Sequence, residues 1–352
     1  MFAHYTSVDG FNSIIVNDKL RMTRSEFMND PSDSRMLGKM IFEYLEKSGK
    51  AEQLLDESVK TIYDKAPVMD YIEFIQNMIH LYVLSFTDKA DEMEFWNYYG
   101  NGGVQLNIDK EKLLFNMVDK LESEEEYLAC APVIYTSEKQ ELKDIQLKTC
   151  LAEFNLLGKN NQSIFKEHMK NLDSKHKQLY EINNVQKFVD YFVNDYCRSL
   201  KFLFDKNQIS NISSRDEIMH TIFENQVMAN NKMIFKKDFL IYMVLLSALV
   251  KTDSYEYENE TRIVYFENSI LSKKSKDDKY ELKTILGQKY IRPYVEFDKI
   301  QLSHALSSIV ISPLTRNIPI DDNLYRDVIV HFLKNNKYEN IDVNVSKHKC
   351  RW

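Results

Sequence analysis

The segment YENETRIVYF, residues 257–266, places two glutamates two positions apart, an arginine two positions further on, and then a run of β-forming residues. Because side chains two positions apart point to the same face of a strand, the spacing predicts that Glu258, Glu260 and Arg262 share a face. An edge strand with its charges in water shows the same pattern. The alternative is a rigid acidic site, in which Arg262 holds one carboxylate ionised and a carboxylate stabilises positive charge or accepts a proton.

The composition is that of a folded protein rich in helix. The chain has 352 residues, of which 44% are hydrophobic and 12% aromatic, with only 8 glycines and 6 prolines. These proportions supply enough apolar surface for a core and are not those of a disordered chain. The net charge of −7 argues against a broadly electrostatic nucleic-acid binder, since such proteins are usually basic.

Neither the first residues nor the longest apolar stretch has the pattern of a targeting or membrane segment. The first residues, MFAHYTSVDGF, lack the basic and apolar regions of a signal peptide. The stretch FLIYMVLLSALV, residues 239–250, is too short to span a bilayer and predicts a buried helix. We therefore expect a soluble, cytoplasmic protein with no membrane partner.

The cysteines and histidines predict neither disulfides nor a metal site. No two of the four cysteines form a CxxC pair, and the eight histidines include no HExxH motif. Zinc sites in proteins usually show such close ligand spacing. We expect no metal cofactor.

Strand patterns occur in three blocks along the chain. They are FAHYTS (2–7), YVLSFT (82–87), VQLNI (104–108), APVIYT (131–136), TRIVYF (261–266), RPYVEF (292–297) and SSIVIS (307–312). Helical patterns cover residues 8–20, 35–80 and 137–252, and the polar residues 21–34 predict a connection with a turn.

This distribution predicts one α+β domain rather than two domains in series. We expect residues 1–352 to form a single discontinuous domain, with a β core from about 1–34, 80–136 and 253–315. The helical insertions would span about 35–79 and 137–252.

Two polar motifs lie on the first two predicted strands. In HYTS, His4 and Thr6 share a strand face and are placed to hold ligand hydroxyls together, although a single histidine near a terminus is usually incidental. In SFT, Ser85 and Thr87 share a face of the strand at 82–87.

The polar residues 21–34 form a weaker motif. Asn29 begins an Asn-Asp-Pro turn, which is common in proteins. Arg21 and Arg24 precede it and are candidates to pair with a pyrophosphate, but surface arginines are also common.

An aromatic and glycine-rich segment follows the strand at 82–87. Trp96 and Tyr99 lie three positions apart on a predicted helical turn. Both are either core residues or a wall against which a flat heterocycle stacks. Gly100, Gly102 and Gly103 permit close backbone approach, but no Lys-Ser/Thr pair follows them, so they do not form a nucleotide P-loop.

The order of these motifs carries a family resemblance. H-Y-T-S, N-D-P, S-F-T, W-x-x-Y with following glycines and E-x-E-x-R together resemble the bacterial domain-of-unknown-function family 2971, discontinuously over most of the chain. The opening H-x-T, the apolar helix and Leu20 also look like the first motif of the ADP-ribosyltransferase superfamily. That superfamily includes DNA-modifying toxins and RNA 2′-phosphotransferases. The resemblance implies an ADP-ribosyltransferase-like split β core with large helical insertions.

The resemblance also implies roles for individual residues, with NAD as the substrate. His4 would orient the adenosine-side ribose, and Tyr99 or Trp96 would stack on nicotinamide. Glu260 would bind the 2′-hydroxyl of the nicotinamide ribose and stabilise an oxocarbenium-like transition state, while Glu258 deprotonates or positions the acceptor. The middle strand departs from the superfamily's pattern, because it has Ser-Phe-Thr in place of Ser-Thr-Ser. The residues expected to bind NAD are His4, Tyr5, Thr6, Arg24, Asn29, Ser85, Thr87, Trp96, Tyr99 and Arg262.

The function implied is NAD-dependent ADP-ribosylation of a protein or nucleic-acid target by a bacterial toxin or anti-phage defence effector. A regulatory or antitoxin protein would be a further partner. One alternative is a non-catalytic nucleotide-binding module that acts as a sensor or recruits a partner. Another is an NAD glycohydrolase, in which water is the acceptor, and the sequence does not separate hydrolysis from transfer.

Overall fold

A computed structural model gives the structure of the protein. It describes residues 1–28, 35–49, 80–100, 102–122, 126–137, 139–146, 155–159, 184–190, 245–267, 283–286, 291–313 and 321–348. The strands are β1 Phe2–Thr6, β2 Lys19–Arg24, β3 Tyr82–Thr87, β4 Val104–Ile108, β5 Glu126–Pro132, β6 Ile134–Thr136, β7 Asn155–Gly158, β8 Val250–Thr252, β9 Glu260–Glu267, β10 Lys283–Leu286, β11 Ile291–Asp298, β12 Leu306–Ile311 and β13 Asp342–Val345.

The described helices are mostly short. They are α1 Val8–Asn17, α2 Met36–Ser48, α3 Met93–Phe95, α4 Lys110–Val118, α5 Leu302–Ala305 and α6 Asp322–Asn335. Helix α3 continues into a π-helix over Trp96–Gly100, and 3-10 helices cover Ser25–Phe27, Leu142–Asp144 and Asp253–Glu258. In the part of the chain that the structure describes, no helix has the length and apolarity needed to cross a membrane.

Eleven of the described strands form one mixed sheet. Its longest path runs β10-β11-β2-β3-β1-β4-β12-β13. A branch leaves this path at β3 and continues in the order β9, β5 and β7. Most neighbours are antiparallel, while β12 and β13 are parallel. Strands β6 and β8 form a separate parallel pair. The α+β class predicted from the sequence is confirmed.

The sheet is split along one edge of β3. On one side, β3 pairs with β9 over its whole length, from Tyr82 to Thr87. On the other side, it pairs with β2 only at its beginning, through Thr23 and Arg24, and with β1 only at Thr87. All five residues of β1 pair instead with β4. Strands β1 and β2 therefore diverge beside β3 and leave an opening between them.

The core lies on both faces of this sheet. The larger apolar cluster contains Phe2 of β1 with Phe11 and Ile15 of α1. A smaller cluster contains Ala3 and Tyr5 of β1. Phe2 and Ala3 enter different clusters because successive strand residues point to opposite faces.

Helix α1 has well-defined ends. The Ser7 hydroxyl accepts a hydrogen bond from the backbone N–H of Gly10 at 3.1 Å and so caps the first turn. Asp18 ends the helix in the left-handed conformation, with φ 47°. Its carboxylate accepts from the backbone N–H of Leu302 at 2.8 Å and from the Tyr338 hydroxyl at 3.1 Å. These contacts join the end of α1 to α5 and to the segment after α6.

Most strands predicted from the sequence are present. The strands expected at 82–87 and 104–108 have the predicted bounds, and those expected at 2–7, 261–266, 292–297 and 307–312 are β1, β9, β11 and β12. The segment APVIYT instead divides between β5 and β6, which belong to different sheets. The single discontinuous domain remains a prediction.

Strand β2 lies where the sequence pattern predicts the end of the first helix and the beginning of the polar connection. The sequence KLRMTR alternates, so Leu20 and Met22 are buried while the residues between them face the other way. The first helix consequently ends at Asn17 rather than at residue 20. Because charged residues occupy alternate positions of this strand, the mean hydropathy of the segment is low. The two-residue alternation of apolar side chains is therefore hard to recognise.

The predicted helical insertion at 137–252 also contains strands. Among the described strands, β7 pairs only with β5. It includes Asn155 and Gly158, which are poor strand formers, so its sequence gives little signal. The apolar stretch 239–250 is described only from residue 245. Residues 245–247 are helical, and Val250 begins β8. The helices predicted at 50–79 and most of those at 160–244 lie outside the described residues.

Replacing Gly103 by alanine tests how closely β4 approaches the end of β1. A Cβ atom at this position would lie 2.1 Å from the Thr6 carbonyl oxygen and 2.7 Å from the Ser7 Cα atom. Since the backbone would have to move, we expect Gly103→Ala to lower the free energy of unfolding by about 2 kcal/mol or more, measured by urea denaturation.

Gly102→Ala is the matched control. Gly102 has φ +73°, but a Cβ atom there would meet nothing within 4 Å, so we expect a loss of only about 1 kcal/mol from backbone strain. Equal losses in the two variants would contradict the close approach at Gly103.

Candidate active site

A cavity opens where the sheet splits, and distant parts of the chain line it. Its volume is about 260 Å³. The walls come from β1, β2 and β3, from the α3 and π-helix segment, and from the residues that lead from β8 to β9. The polar side chains in the lining include His4, Ser85, Thr87, Tyr99, Glu258 and Glu260.

Two carboxylates and two cations form a buried ion network beside this cavity. Lys251 Nζ lies 2.7 Å from Glu258 Oε2 and 3.2 Å from Glu260 Oε2. Arg262 donates from Nε to Glu260 Oε1 at 2.8 Å and from Nη2 to Oε2 at 3.1 Å. None of the four side chains is more than 8% exposed. Their formal charges sum to zero, so both buried carboxylates are paired, as burial of charge requires.

A tight turn, and not a continuous strand, brings Glu258 next to Glu260. Glu258 ends the 3-10 helix, and Asn259 adopts the left-handed conformation with φ 42° and ψ 54° before β9 begins. Asparagine tolerates this conformation better than most residues. The prediction that Glu258 shares a strand face with Glu260 and Arg262 is therefore wrong, because the left-handed residue interrupts the two-residue period.

The end of β3 fixes this turn by hydrogen bonds. Thr87 Oγ1 donates to the Glu258 carbonyl oxygen at 2.6 Å, and Lys89 Nζ donates to the Tyr257 carbonyl oxygen at 2.5 Å. Since β3 also pairs with β9, one strand supports both the turn and the strand that follows it. Thr87 is thus placed to position Glu258.

The ion network keeps Glu260 charged. Burial by itself raises the pKa of this carboxyl, but the charges of Arg262 and Lys251 and the hydrogen bonds to it outweigh burial and lower the pKa to about 2. Burial likewise lowers the pKa of Lys251, whereas Glu260 and Glu258 raise it, and the net direction is upward. Near neutral pH, Glu260 is ionised and Lys251 is protonated.

Tyr99 connects the aromatic segment to the acidic pair. Its hydroxyl donates to Glu258 Oε1 at 2.5 Å. Burial and the neighbouring Glu258 carboxylate raise the pKa of the Tyr99 hydroxyl above its usual value, so it remains a hydrogen-bond donor. The Tyr99 ring lines the cavity and lies 5.9 Å from the Phe95 ring.

His4 lies in the cavity wall as a neutral imidazole. Its Nδ1 is 3.2 Å from the Ser85 carbonyl oxygen, and because a carbonyl oxygen only accepts, Nδ1 carries the proton. Burial lowers the pKa of His4, so Nε2 is an acceptor for a hydroxyl group. Tyr5, the next residue, also lines the cavity, and its hydroxyl donates to the Lys89 carbonyl oxygen at 3.1 Å.

Ser85 presents a buried hydroxyl group at the cavity. This hydroxyl lies near the Glu260 carboxylate and contributes to its low pKa. It does not meet the geometry of a regular hydrogen bond, and within the described residues its oxygen has no partner. A buried polar atom without a partner is rare in proteins, and in a cavity wall it is a natural contact for a ligand.

Trp96 does not line the cavity and belongs to the core. It is fully buried, its Nε1 donates to Asp91 Oδ1 at 2.9 Å, and its ring packs edge-on against Tyr5 at 4.8 Å. The core interpretation therefore holds for Trp96. Of the two aromatic residues, Tyr99 is the one placed to contact a ligand.

Other residues expected to bind NAD also lie away from the cavity. Thr6 is absent from the lining, and its Oγ1 lies against Gly10, 2.1 Å from the position that a Cβ atom there would take. Arg24 is also absent from the lining and pairs with Glu26, with Nη2 2.9 Å from Oε1. Arg262 acts behind the wall by holding Glu260. Asn29 lies outside the described residues.

Sequence reasoning missed Lys251 and gave Arg21 no firm role. Lys251 stands directly after the apolar run that ends at Val250, and it is the cation between the two glutamates. A single lysine closing a long apolar run is the signal that would have identified it, since lysine is seldom buried without a partner. Arg21 lines the cavity from β2.

Comparison with known proteins finds one family. The model of the family described as "Protein of unknown function (DUF2971)" matches residues 95–263. The motif-based resemblance to this family is thus supported over that segment, which includes Tyr99, Lys251 and both glutamates but not His4. No curated protein matches the chain, and no solved structure matches it.

Removing the charge of Lys251 tests the ion network. Lys251→Met retains much of the apolar stem but leaves Glu258 without a paired cation among the described residues, while Glu260 keeps Arg262. We expect the free energy of unfolding, measured by urea denaturation at neutral pH, to fall by about 3–5 kcal/mol. Adding Glu258→Gln should restore part of this loss, because it removes one uncompensated buried carboxylate.

Lys143→Met is the matched control for this variant. Lys143 Nζ lies 2.5 Å from Glu141, but both side chains are more than half exposed, and such surface pairs contribute little to stability. A loss in Lys251→Met no larger than that in Lys143→Met would contradict the network. Absence of any recovery in the Lys251→Met/Glu258→Gln double variant would also contradict it.

Proposed function

We propose that the protein is an NAD-dependent ADP-ribosyltransferase-like enzyme that modifies a protein or nucleic-acid target. The observation that carries the proposal is that His4, Ser85, Tyr99 and Glu260 line one cavity, although distant segments supply them. These four residues are among those to which the superfamily resemblance assigns roles in binding NAD, and their proximity supports the proposal. A split in the sheet beside β3, where β1 and β2 diverge, is compatible with an ADP-ribosyltransferase-like fold.

The side chains in the cavity suit an N-ribosyl ligand. The His4 Nε2 atom accepts a hydrogen bond from a ribose hydroxyl, and the Ser85 hydroxyl is without a partner among the described residues. The Tyr99 ring offers a face to the flat nicotinamide. The ionised Glu260 carboxylate binds the 2′-hydroxyl of the nicotinamide ribose.

The proposed reaction begins with cleavage of the bond between the ribose C1′ and the nicotinamide nitrogen. The bonding electron pair leaves with nicotinamide, which becomes neutral, and positive charge develops on the ribose as an oxocarbenium-like state. Glu260 stabilises this charge through its fixed carboxylate oxygens. An acceptor nucleophile then bonds to C1′ and loses its proton, which Glu258 accepts or directs to solvent.

Charge compensation limits how Glu260 acts. Lys251 and Arg262 neutralise the acidic pair, so the site has no net negative charge with which to attract a cation. Stabilisation of the transition state must come from preorganised oxygens at short range. Those oxygens are held in place before substrate binds, because Arg262 donates hydrogen bonds to both of them, one from Nε and one from Nη2.

A second candidate function is nucleotide binding without turnover. Two unpaired carboxylates beside a pyrophosphate would repel it and weaken binding. Such a pair would therefore be expected in an enzyme, whose chemistry needs it, rather than in a binding module. Here Lys251 and Arg262 remove most of that repulsion. A sensor or partner-recruiting module with the same cavity is therefore the alternative that the ion network favours. Hydrolysis of NAD, with water as the acceptor, would use the same groups as transfer.

Glu260→Gln tests the proposed function. The folded protein is incubated with NAD labelled in its adenylate half and with cell lysate, and both label transfer and nicotinamide release are measured. We expect the variant to lose at least about 100-fold in the rate of nicotinamide release, because the amide carries no charge to stabilise the transition state. Thermal melting identifies a temperature at which the variant and the wild type are both folded.

Glu126→Gln is the matched control. Glu126 is also a buried glutamate on the sheet, where its Oε1 accepts from the Tyr265 hydroxyl at 3.1 Å, but it does not line the cavity. This variant should retain the wild-type rate. NAD binding without consumption by the wild type would favour the binding module. Absence of both binding and consumption in folded protein would contradict both candidates.

A further inference from the structure

The cavity has a cationic rim on the side of β2. Antiparallel pairing of β2 with β11 places Arg21 opposite Glu296, and Thr23 opposite Tyr294. Because alternate residues of a strand share a face, Lys19 and Arg21 project to the same side of the sheet. Arg21 is the member of this group that lines the cavity together with Thr23.

Two cations at this rim share one carboxylate oxygen. Lys19 Nζ lies 2.7 Å from Glu296 Oε1, and Arg21 Nε lies 2.9 Å from the same atom. The Glu296 side chain is 5% exposed, whereas that of Arg21 is 37% exposed. The three groups together carry one excess positive charge, and Arg21 is the more exposed of the two cations, since the Lys19 side chain is 18% exposed.

The guanidinium of Arg21 is oriented and only partly used. Its Cζ atom lies 5.0 Å from the centroid of the Tyr294 ring, which restricts the orientation of the group. A guanidinium carries five N–H donors, and here Nε alone is engaged. Nη1 and Nη2 have no partner in the described part of the chain. A fixed, charged donor pair of this kind is suited to a phosphate group.

We infer that Arg21 binds a phosphate group of the ligand, so that the cavity selects phosphorylated nucleosides over phosphate-free ones. This inference deepens the proposed function and rests on it where the ligand is NAD. Arg21 and Glu260 line the same cavity from different strands. The cationic rim therefore receives the diphosphate while the neutralised acidic network receives the nicotinamide ribose.

Isothermal titration calorimetry with two ligands tests this inference. NAD carries a diphosphate, whereas nicotinamide riboside carries the same reacting ribose without phosphate. Arg21→Gln should weaken NAD binding by about tenfold or more and should change nicotinamide riboside binding less than twofold. The variant retains the Lys19 contact to Glu296, so the buried carboxylate stays paired, and thermal melting verifies that it is folded.

Arg24→Gln is the matched control, since Arg24 is on the same strand but pairs with Glu26 and does not line the cavity. It should leave both affinities unchanged. Equal weakening of NAD and nicotinamide riboside by Arg21→Gln, or no weakening of either, would overturn the inference. So would an equal effect of Arg24→Gln on NAD.

A further pair of titrations separates this inference from the proposed function. If NAD does not bind, the proposed function fails, and ADP and inorganic pyrophosphate become the probes. Binding of ADP or pyrophosphate that Arg21→Gln weakens and Arg24→Gln does not would support the phosphate site by itself. Absence of binding by both probes would overturn it.

Discussion

The ammonium group of Lys251, held between Glu258 and Glu260, is the interaction on which the candidate site depends. Two carboxylates buried this deeply without paired cations would be strongly unfavourable, and burial by itself raises the pKa of Glu260. Lys251 bridges them at 2.7 and 3.2 Å, and Arg262 completes the pairing of Glu260. The result is an acidic pair that is ionised at Glu260, electrically balanced and fixed before any ligand binds.

The split in the sheet gives this network access to a ligand. If β1 and β2 both paired with β3 along its whole length, no opening would remain between them. His4 and Ser85 would then not face a cavity. The divergence of β1 and β2 leaves a cavity with different chemistry on its sides: a neutralised acidic network by β9 and an excess positive charge at Arg21 on β2. A ligand with a ribose at one group and a phosphate at the other would match this arrangement.

The sequence predicted the parts of the fold and site whose patterns are local. Strand β3 has the predicted bounds because YVLSFT is a compact run of β-forming residues. His4, Ser85 and Glu260 line one cavity, and their roles in binding NAD remain predictions. Strand β2 was missed because charged residues occupy its alternate positions. Local spacing also misplaced Glu258, since the left-handed Asn259 interrupts the strand period. The position of Lys251 at the end of an apolar run indicates that it is buried, but its two carboxylate partners depend on tertiary packing, as does the choice between core and cavity for Trp96.

A crystal structure of the protein with a non-hydrolysable NAD analogue would test the central claim most directly, namely that this cavity is an NAD site. The account predicts that the nicotinamide ribose contacts Glu260 and that the nicotinamide ring stacks on Tyr99. It also predicts that the diphosphate lies within hydrogen-bond distance of the Arg21 guanidinium. An analogue bound on another surface, or bound in the cavity without contact to Glu260 and Tyr99, would contradict it.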